Sequence, residues 1–277
     1  MFSVIIPASN EAAFLGACLQ SVIEQSFTEP VQVVVAANAC RDATVEIARS
    51  FSSRFQERGW TFTVLDIVEP GKTNAMNHGD AALSAPDTRV YLDADVECEA
   101  SLFQELHRTL DRSEAAYASG NLTVAPARSW TTRCFARLWT RLPFVADGVP
   151  GAGLFAVNAS GRGRWKEFPT TFSDDTYVRL LFTPEERFKV NAHYLWPMPE
   201  GLRNLVRVRR RQKAHYDDIL RRYPELWSNM DRNARSASWL LAKSLLRMPI
   251  SLCVYLLVTV CVRLKADRAA TFRARTT

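Results

Sequence analysis

FSVIIPASNEAAFLGACLQSVIEQSFTEPVQVVVAANACRDAT, residues 2–44, decides the architecture. It opens on FSVII, passes through a stretch near 11–25 with apolar residues at helical spacing, and returns to VQVVVA at 31–36. Both short runs are almost continuously apolar, as strands are when a parallel sheet is covered on both faces. The alternation continues outward: a helical pattern over 41–57, a strand over 61–67, a helix over 72–83 and a strand over 89–92. Strand, helix, strand in this rhythm predicts an α/β fold with a mainly parallel central sheet flanked by helices. Ligands of such sheets sit beyond the carboxyl ends of the strands. The polar clusters fall there: Ser9, Asn10 and Glu11 after the first strand, Asn38 after the second, Asp93 and Asp95 after the fourth.

Downstream the pattern is mixed. A strand near 115–124, a Trp/Phe/Arg-rich helix near 128–141, a strand near 153–158, a helix near 173–183 and a strand near 187–195 are predicted. Residues 201–225 read as a basic helix carrying RVRRRQK at 207–213, and the last apolar block is WLLAKSLLRMPISLCVYLLVTVCV, residues 239–262. With no internal repeat, the simplest partition is a catalytic domain over 1–225 and a basic, apolar helical tail over 226–277.

Charge follows that partition. Residues 201–277 hold 17 Lys and Arg against 5 Asp and Glu, leaving 18 against 24 in residues 1–200. An acidic body suits a cation site, and a basic tail suits an anionic surface. Hydrophobic content of 47% and charged content of 23% exclude a disordered chain. The cysteines Cys18, Cys40, Cys98, Cys134, Cys253 and Cys261 lack metal-ligand spacing and read as small buried residues of a reducing compartment. FSVII is too short for a signal-peptide core, so a cytoplasmic catalytic body is expected.

The chemistry centres on YLDADVE at 91–97. Two carboxylates flanking one residue at a strand end can face one hard divalent cation, Mg²⁺ or Mn²⁺, and such an ion would neutralise a nucleotide diphosphate. Around it stand VIIPASNEAAFLGACLQSV (4–22), VVVAANACRDAT (33–44), EPGKTNAMNHGDAAL (69–83), PGAGLFAVN (150–158) and FSDDTYVRLLF (172–182). In that order and at those distances the series resembles family 2 glycosyltransferases, inverting enzymes of the GT-A fold, over roughly residues 3–215.

The resemblance implies a hexosyltransferase-type enzyme with a UDP- or GDP-sugar donor and a saccharide or lipid-linked acceptor, as in polysaccharide or glycolipid assembly. Carried over residue by residue, Pro7, Ala8, Asn10 and Glu11 would shape the loop that holds the nucleotide, with Asn38 and Asp42 in the second loop. Lys72 would lie near the donor's phosphates or base pocket. Asp93 and Asp95 would hold the metal and the sugar nucleotide, Asp95 as the first choice of direct ligand. Asp175 matches the family's general base with Asp174 beside it, and an acceptor hydroxyl does need a base to lose its proton as it attacks. Gly151 and Gly153 suggest close backbone approach beside the acceptor.

The sequence also departs from the family. Where many relatives carry an acidic residue in the second loop to read the base, Ala37 and Asn38 stand here, which leaves UDP or GDP open. The QxxRW motif of processive synthases aligns best with Val208 to Gln212 and keeps only Arg211, a candidate for the diphosphate, so a processive synthase is not expected. Two other readings compete. A nucleotidyltransferase uses similar carboxylates but holds triphosphate with a Gly-rich basic loop, where PASNEA stands here; an inactive nucleotide-sugar-binding protein would have no need of Asp93, Asp95 and Asp175 together. No nucleic-acid partner is expected. Residues 248–262 give only 15 residues without a charge, short of a span, and basic residues flank them. Residues 239–262 are therefore expected to lie on a membrane surface, peripherally or shallowly anchored at the inner face of the plasma membrane.

Overall fold

The computed structural model describes residues 1–84, 88–169, 173–231, 245 and 247–273. These residues form two compact units. One holds residues 1–123, 149–196 and 225–230; the other holds 124–148, 197–224 and 231–277.

The first unit is built on an eight-stranded sheet, whose parallel half is the one expected from the opening sequence. Strands β1 (Phe2–Ala8), β2 (Val31–Asn38), β3 (Thr61–Ile67), β4 (Thr88–Leu92), β5 (Glu97–Cys98), β6 (Tyr117–Val124), β7 (Leu154–Asn158) and β8 (Arg187–Trp196) lie in the order β3-β2-β1-β4-β7-β6-β8-β5. The first four strands of that order are parallel, with Ile6 opposite Val35 and Val4 opposite Val90. β7 then runs antiparallel to both β4 and β6, and β5 antiparallel to β8. Every residue of β1 is buried, which is why its sequence is apolar without alternation. The predicted helices appear as α1 (Leu15–Ile23), α2 (Thr44–Ser50), α3 (Ser52–Glu57) and α4 (Lys72–Ala81), the pattern over 41–57 breaking in two at Phe51. The helix α5 (Leu102–Leu110), which buries Leu102, Phe103, Leu106 and Leu110, was not anticipated. The core gathers Phe2, Val4, Ile6, Leu19, Val33, Val35, Leu92, Phe103 and Leu106 between sheet and helices.

A buried polar knot fixes α4 against the sheet. Asp80 accepts from Arg89 at 2.6 Å, from the Tyr91 hydroxyl at 2.9 Å and from Arg162 at 2.9 Å. Its side chain is 8% exposed. Arg162, on the short helix α8 (Ala159–Arg162), also lies 4.5 Å from the ring of Trp165. A buried carboxylate with three donors is tolerated because each lone-pair direction is used; removing a partner strands the others.

The second unit is helical. It contains α6 (Trp130–Trp139), the single turn α7 (Pro143–Ala146), α10 (Gly201–Arg222) and the C-terminal α11 (Pro249–Arg273). α6 starts at Ser129, whose hydroxyl accepts from the Thr132 amide. α11 covers most of the apolar block read at 239–262; residues 239–244 and 246 lie outside the described residues. Among the described residues no helix is long and apolar enough to cross a membrane.

Candidate active site

The carboxyl ends of β1 and β2 are stitched to one another by their own loops. The Asn10 side chain accepts from the Arg41 amide at 2.8 Å, the Glu11 amide donates to the Thr44 hydroxyl at 2.8 Å, and the Ala12 amide donates to Asp42 at 3.1 Å. Asp42 in turn accepts from the Thr44 hydroxyl at 2.5 Å. That bond holds the Asp42 carboxyl below its ordinary range. Asn10 and Ala39 take positive φ, 57° and 47°. Asn adopts this conformation readily; for Ala39 it costs about 1 kcal/mol.

Asn38 is the pin of this region. It is buried, its amide donates to the carbonyl of Ala8 at 2.9 Å and its oxygen accepts from the Gly71 amide at 3.0 Å. One side chain thus ties the end of β1 to the loop that starts α4. Pro7 and Ala8 lie buried within β1 itself, so what they offer the cleft is backbone.

Lys72, the first residue of α4, carries the main electrostatic contact. Its ammonium lies 2.6 Å from Asp93 and 3.0 Å from Asp174. Burial works against its charge, but Asp174, Asp93 and Asp175 outweigh that and hold the group well above the ordinary lysine range. The side chain of Asp174 is 9% exposed, and burial raises its carboxyl despite the nearby lysine. Asp174 and Asp175 open α9 (Asp174–Leu180), where acidic residues complement the helix terminus. Asp175 is half-buried, accepts from the Ser173 hydroxyl at 2.5 Å and the Thr176 amide at 2.6 Å, and acts electrostatically on Lys72, Tyr117 and Tyr194. The acids after β4 and those at the start of α9 therefore share one region, with Lys72 between them.

Asp95 stands differently. Burial, with Asp93 and Glu11 adding to it, pushes its carboxyl up to about 7. The Glu11 carboxyl is raised as well, by burial and then by Asp93 and Asp42. This corner is rich in negative charge that Lys72 only partly offsets. Among the described residues no cluster of three or more His, Cys, Asp or Glu could hold a metal unaided. A Mg²⁺- or Mn²⁺-type ion, however, needs only one or two carboxylates when diphosphate oxygens and water complete its shell. Crowded carboxylates of which one resists ionisation are a donor set that such a cation would relieve, so Asp93 and Asp95 fit it.

The glycines of PGAGLF do approach other groups closely. Gly151 has φ 66° and a Cβ there would fall 1.7 Å from the Tyr117 hydroxyl; Gly153 has φ 77° and its Cβ would fall 2.5 Å from the ring of Trp196. The Gly153 carbonyl accepts from the Asp93 amide at 2.8 Å, which locks the loop before β7 to the acidic turn. The Tyr117 hydroxyl, fully buried, has no hydrogen-bond partner among the described residues. Sequence reasoning missed Tyr117, Trp196 and the Asp80 knot; a lone aromatic on a strand carries no positional signal. Arg211 lies exposed on α10, in the other unit.

Comparison with known proteins gives this geometry a family. The model of glycosyl transferase family 2 matches residues 3–148. No curated protein matches in sequence. Among solved structures, the mannosyltransferase PcManGT from Pyrobaculum calidifontis, in complex with GDP-Man and Mn²⁺, is 19% identical with a TM-score of 0.60, over 98% of this chain and 79% of that one. Glucosyl-3-phosphoglycerate synthase from Mycobacterium tuberculosis, with Mn²⁺, UDP and glucosyl-3-phosphoglycerate, is 20% identical with a TM-score of 0.53, over 80% of this chain and 79% of that one. TarS 1–349 from S. aureus with UDP is 14% identical with a TM-score of 0.53, over 79% of this chain and 65% of that one. The chain spans 42% of the longer TarS structure. At these identities the structural likeness speaks for the fold alone. The family model covers more than half of the chain and ends beyond the acidic turn: the protein belongs to glycosyl transferase family 2.

Proposed function

We propose that this chain transfers a sugar, with inversion, from a UDP- or GDP-sugar to an acceptor hydroxyl, assisted by Mg²⁺ or Mn²⁺. The observation that supports the reading is Lys72 between Asp93 and Asp174, an ammonium that brings the two acidic segments within reach of each other. The stitched loops after β1 and β2, with Asn10, Glu11, Asn38 and Asp42, form the floor for the nucleotide. Asp93 and Asp95 would hold the cation, which would supply charge neutralisation for the diphosphate leaving group. Lys72 adds a fixed positive charge at the start of α4, where amides also favour phosphate.

Asp175 acts as the base. Asp174 is held by Lys72 and buried, whereas Asp175 keeps one oxygen, Oδ1, on its own helix turn and is the more exposed of the two. Successive helix residues point in different directions, so one can anchor while the other receives the acceptor proton. The base must approach from the face opposite the leaving diphosphate, and attack from that face inverts the anomeric carbon. The loop of Gly151 and Gly153, tied to the Asp93 amide, borders the acceptor side, and the acceptor is a saccharide or a lipid-linked sugar. The catalytic body spans 1–225 and the remainder is a tail held at a membrane surface.

A thermal-shift screen of UDP- and GDP-sugars with Mn²⁺, followed by an assay of slow donor hydrolysis, tests this reading, since a bound donor raises apparent stability by mass action. Stabilisation and hydrolysis with one donor class are expected. Consumption of nucleoside triphosphate with release of pyrophosphate, or inertness towards every donor, would overturn it.

A further inference from the structure

The second unit contains a cleft of about 330 Å³ among α6, α10 and α11 that no part of the sugar-transfer reading uses. Its walls are aromatic and aliphatic. Phe135 of α6 stacks on Tyr255 of α11 at 5.5 Å, Trp139 meets Phe144 edge-on at 5.8 Å, and Val258 is fully buried. Into this lining projects Arg209 of α10. Its guanidinium lies 5.2 Å from the ring of Phe135 and 4.8 Å from that of Trp139, and it donates to Gln212 at 3.0 Å. Its neighbour Arg210 is committed to a structural bond, to the Cys261 carbonyl at 2.5 Å. Among the described residues no carboxylate pairs with Arg209. Burial lowers its proton affinity to about 10, against the faint support of Tyr255. A guanidinium in such surroundings wants an anion. Arg263 and Lys213 also line the cleft; Lys213 has an acid beside it, Asp217 at 2.7 Å, and among the described residues none pairs with Arg263.

α11 is apolar on two faces. Val254, Val258 and Val262, four residues apart, are buried. Leu256, Val260 and Leu264, also four apart, are 45%, 49% and 62% exposed, and Leu257 beside them is 48% exposed. A helix that buries one stripe and leaves a second apolar stripe open lies against an apolar medium outside the fold. Flexible cations beside such a stripe suit an interface with anionic headgroups.

We propose that the cleft among α6, α10 and α11 receives the phosphate headgroup of an anionic membrane phospholipid on Arg209 and Arg263, while Leu256, Leu257, Val260 and Leu264 lie among its acyl chains. The aromatic walls exclude water from the ion pair and strengthen it. Both halves of an amphiphile are thereby met by adjacent surfaces of one helical unit, independently of the sugar donor.

Flotation of the full chain with phosphatidylcholine vesicles, with and without phosphatidylglycerol, tests the proposal. Binding only to the phosphatidylglycerol vesicles is expected. Arg209→Gln weakens it about tenfold, the scale of one lost charge-assisted bond. Arg263→Gln, at an exposed position whose loss leaves the fold intact, weakens it in the same direction, and Leu257→Asp weakens binding without touching the cleft. The proposal is overturned if well-folded Arg263→Gln and Arg209→Gln bind as the native chain does, or if both vesicle types bind equally. It also fails if inorganic phosphate alone abolishes vesicle binding, which marks a free-anion site. A dimer by light scattering that Leu257→Asp dissolves, with no vesicle binding, assigns the stripe to a second copy and overturns it too.

Discussion

Lys72 and Asp174 meet at 3.0 Å although one opens α4 and the other opens α9. The same ammonium reaches Asp93 at 2.6 Å. A single cation therefore holds two acidic segments together, and its removal leaves like charges facing each other.

Lys72→Met is expected to lower kcat/KM at least about a hundredfold, because it removes both the proposed phosphate contact and the tether of Asp174. Lys72→Arg should restore part of the loss, since the charge returns with different geometry. Steady-state kinetics of the two variants, with melting temperatures as a control for folding, provide the check. Equal activity in native and Met variants removes Lys72 from the mechanism.

Asp175→Asn is expected to reduce transfer by about 10²- to 10⁴-fold while calorimetric donor affinity in Mn²⁺ stays within about twofold. Loss of a base affects the chemical step and spares the ground-state complex. A variant with near-native turnover returns the assignment to Asp174, and Asp174→Asn then becomes the informative measurement.

Asp95→Asn should raise the melting temperature of the metal-free protein at pH 8 and abolish the rise that Mn²⁺ produces in the native chain. Burial, with Asp93 and Glu11, pushes the native carboxyl up to about 7, above its unfolded range, so it binds more protons folded than unfolded between the two values. Metal-free stability from this group is greatest below the unfolded range and falls as pH rises through 7. The benefit of Asn is thus present at pH 8 and fades towards acid pH. A lower melting temperature for the metal-free variant at pH 8 contradicts the crowding described around Asp95.

Asp80→Ala leaves Arg89, Tyr91 and Arg162 without their shared acceptor. A loss of about 3 kcal/mol is expected, the scale for breaking a buried charge pair by removing one side. Urea denaturation reads it directly. A change below about 0.5 kcal/mol would mean that water already serves these donors.

The parallel half of the sheet was legible because β1 and β2 are buried on both faces and so lack polar interruptions. The acidic turn at Asp93 and Asp95 and the pair at Asp174 and Asp175 were legible through their order along the chain. The bond from Lys72 to Asp174 was not, because nothing local in either segment encodes which distant charge it meets. α5 escaped for a different reason: its buried positions Leu102, Phe103, Leu106 and Leu110 have helical spacing, but they follow directly on the two-residue strand β5, too short to signal a boundary. Arg209 sits in a run that reads as a solvated basic face, and only the tertiary packing of Phe135 and Trp139 around it reveals an enclosed cation.

If the loops after β1 and β2 receive the nucleotide as proposed, Asn38 bears on its choice. Both polar atoms of its amide already serve backbone, one on Ala8 and one on Gly71. An aspartate there would confront the Ala8 carbonyl with a second acceptor, and a leucine would satisfy neither partner. The place where an acid could inspect an incoming base is thus occupied by a rivet, and a swap meant to retune donor choice would loosen the floor first.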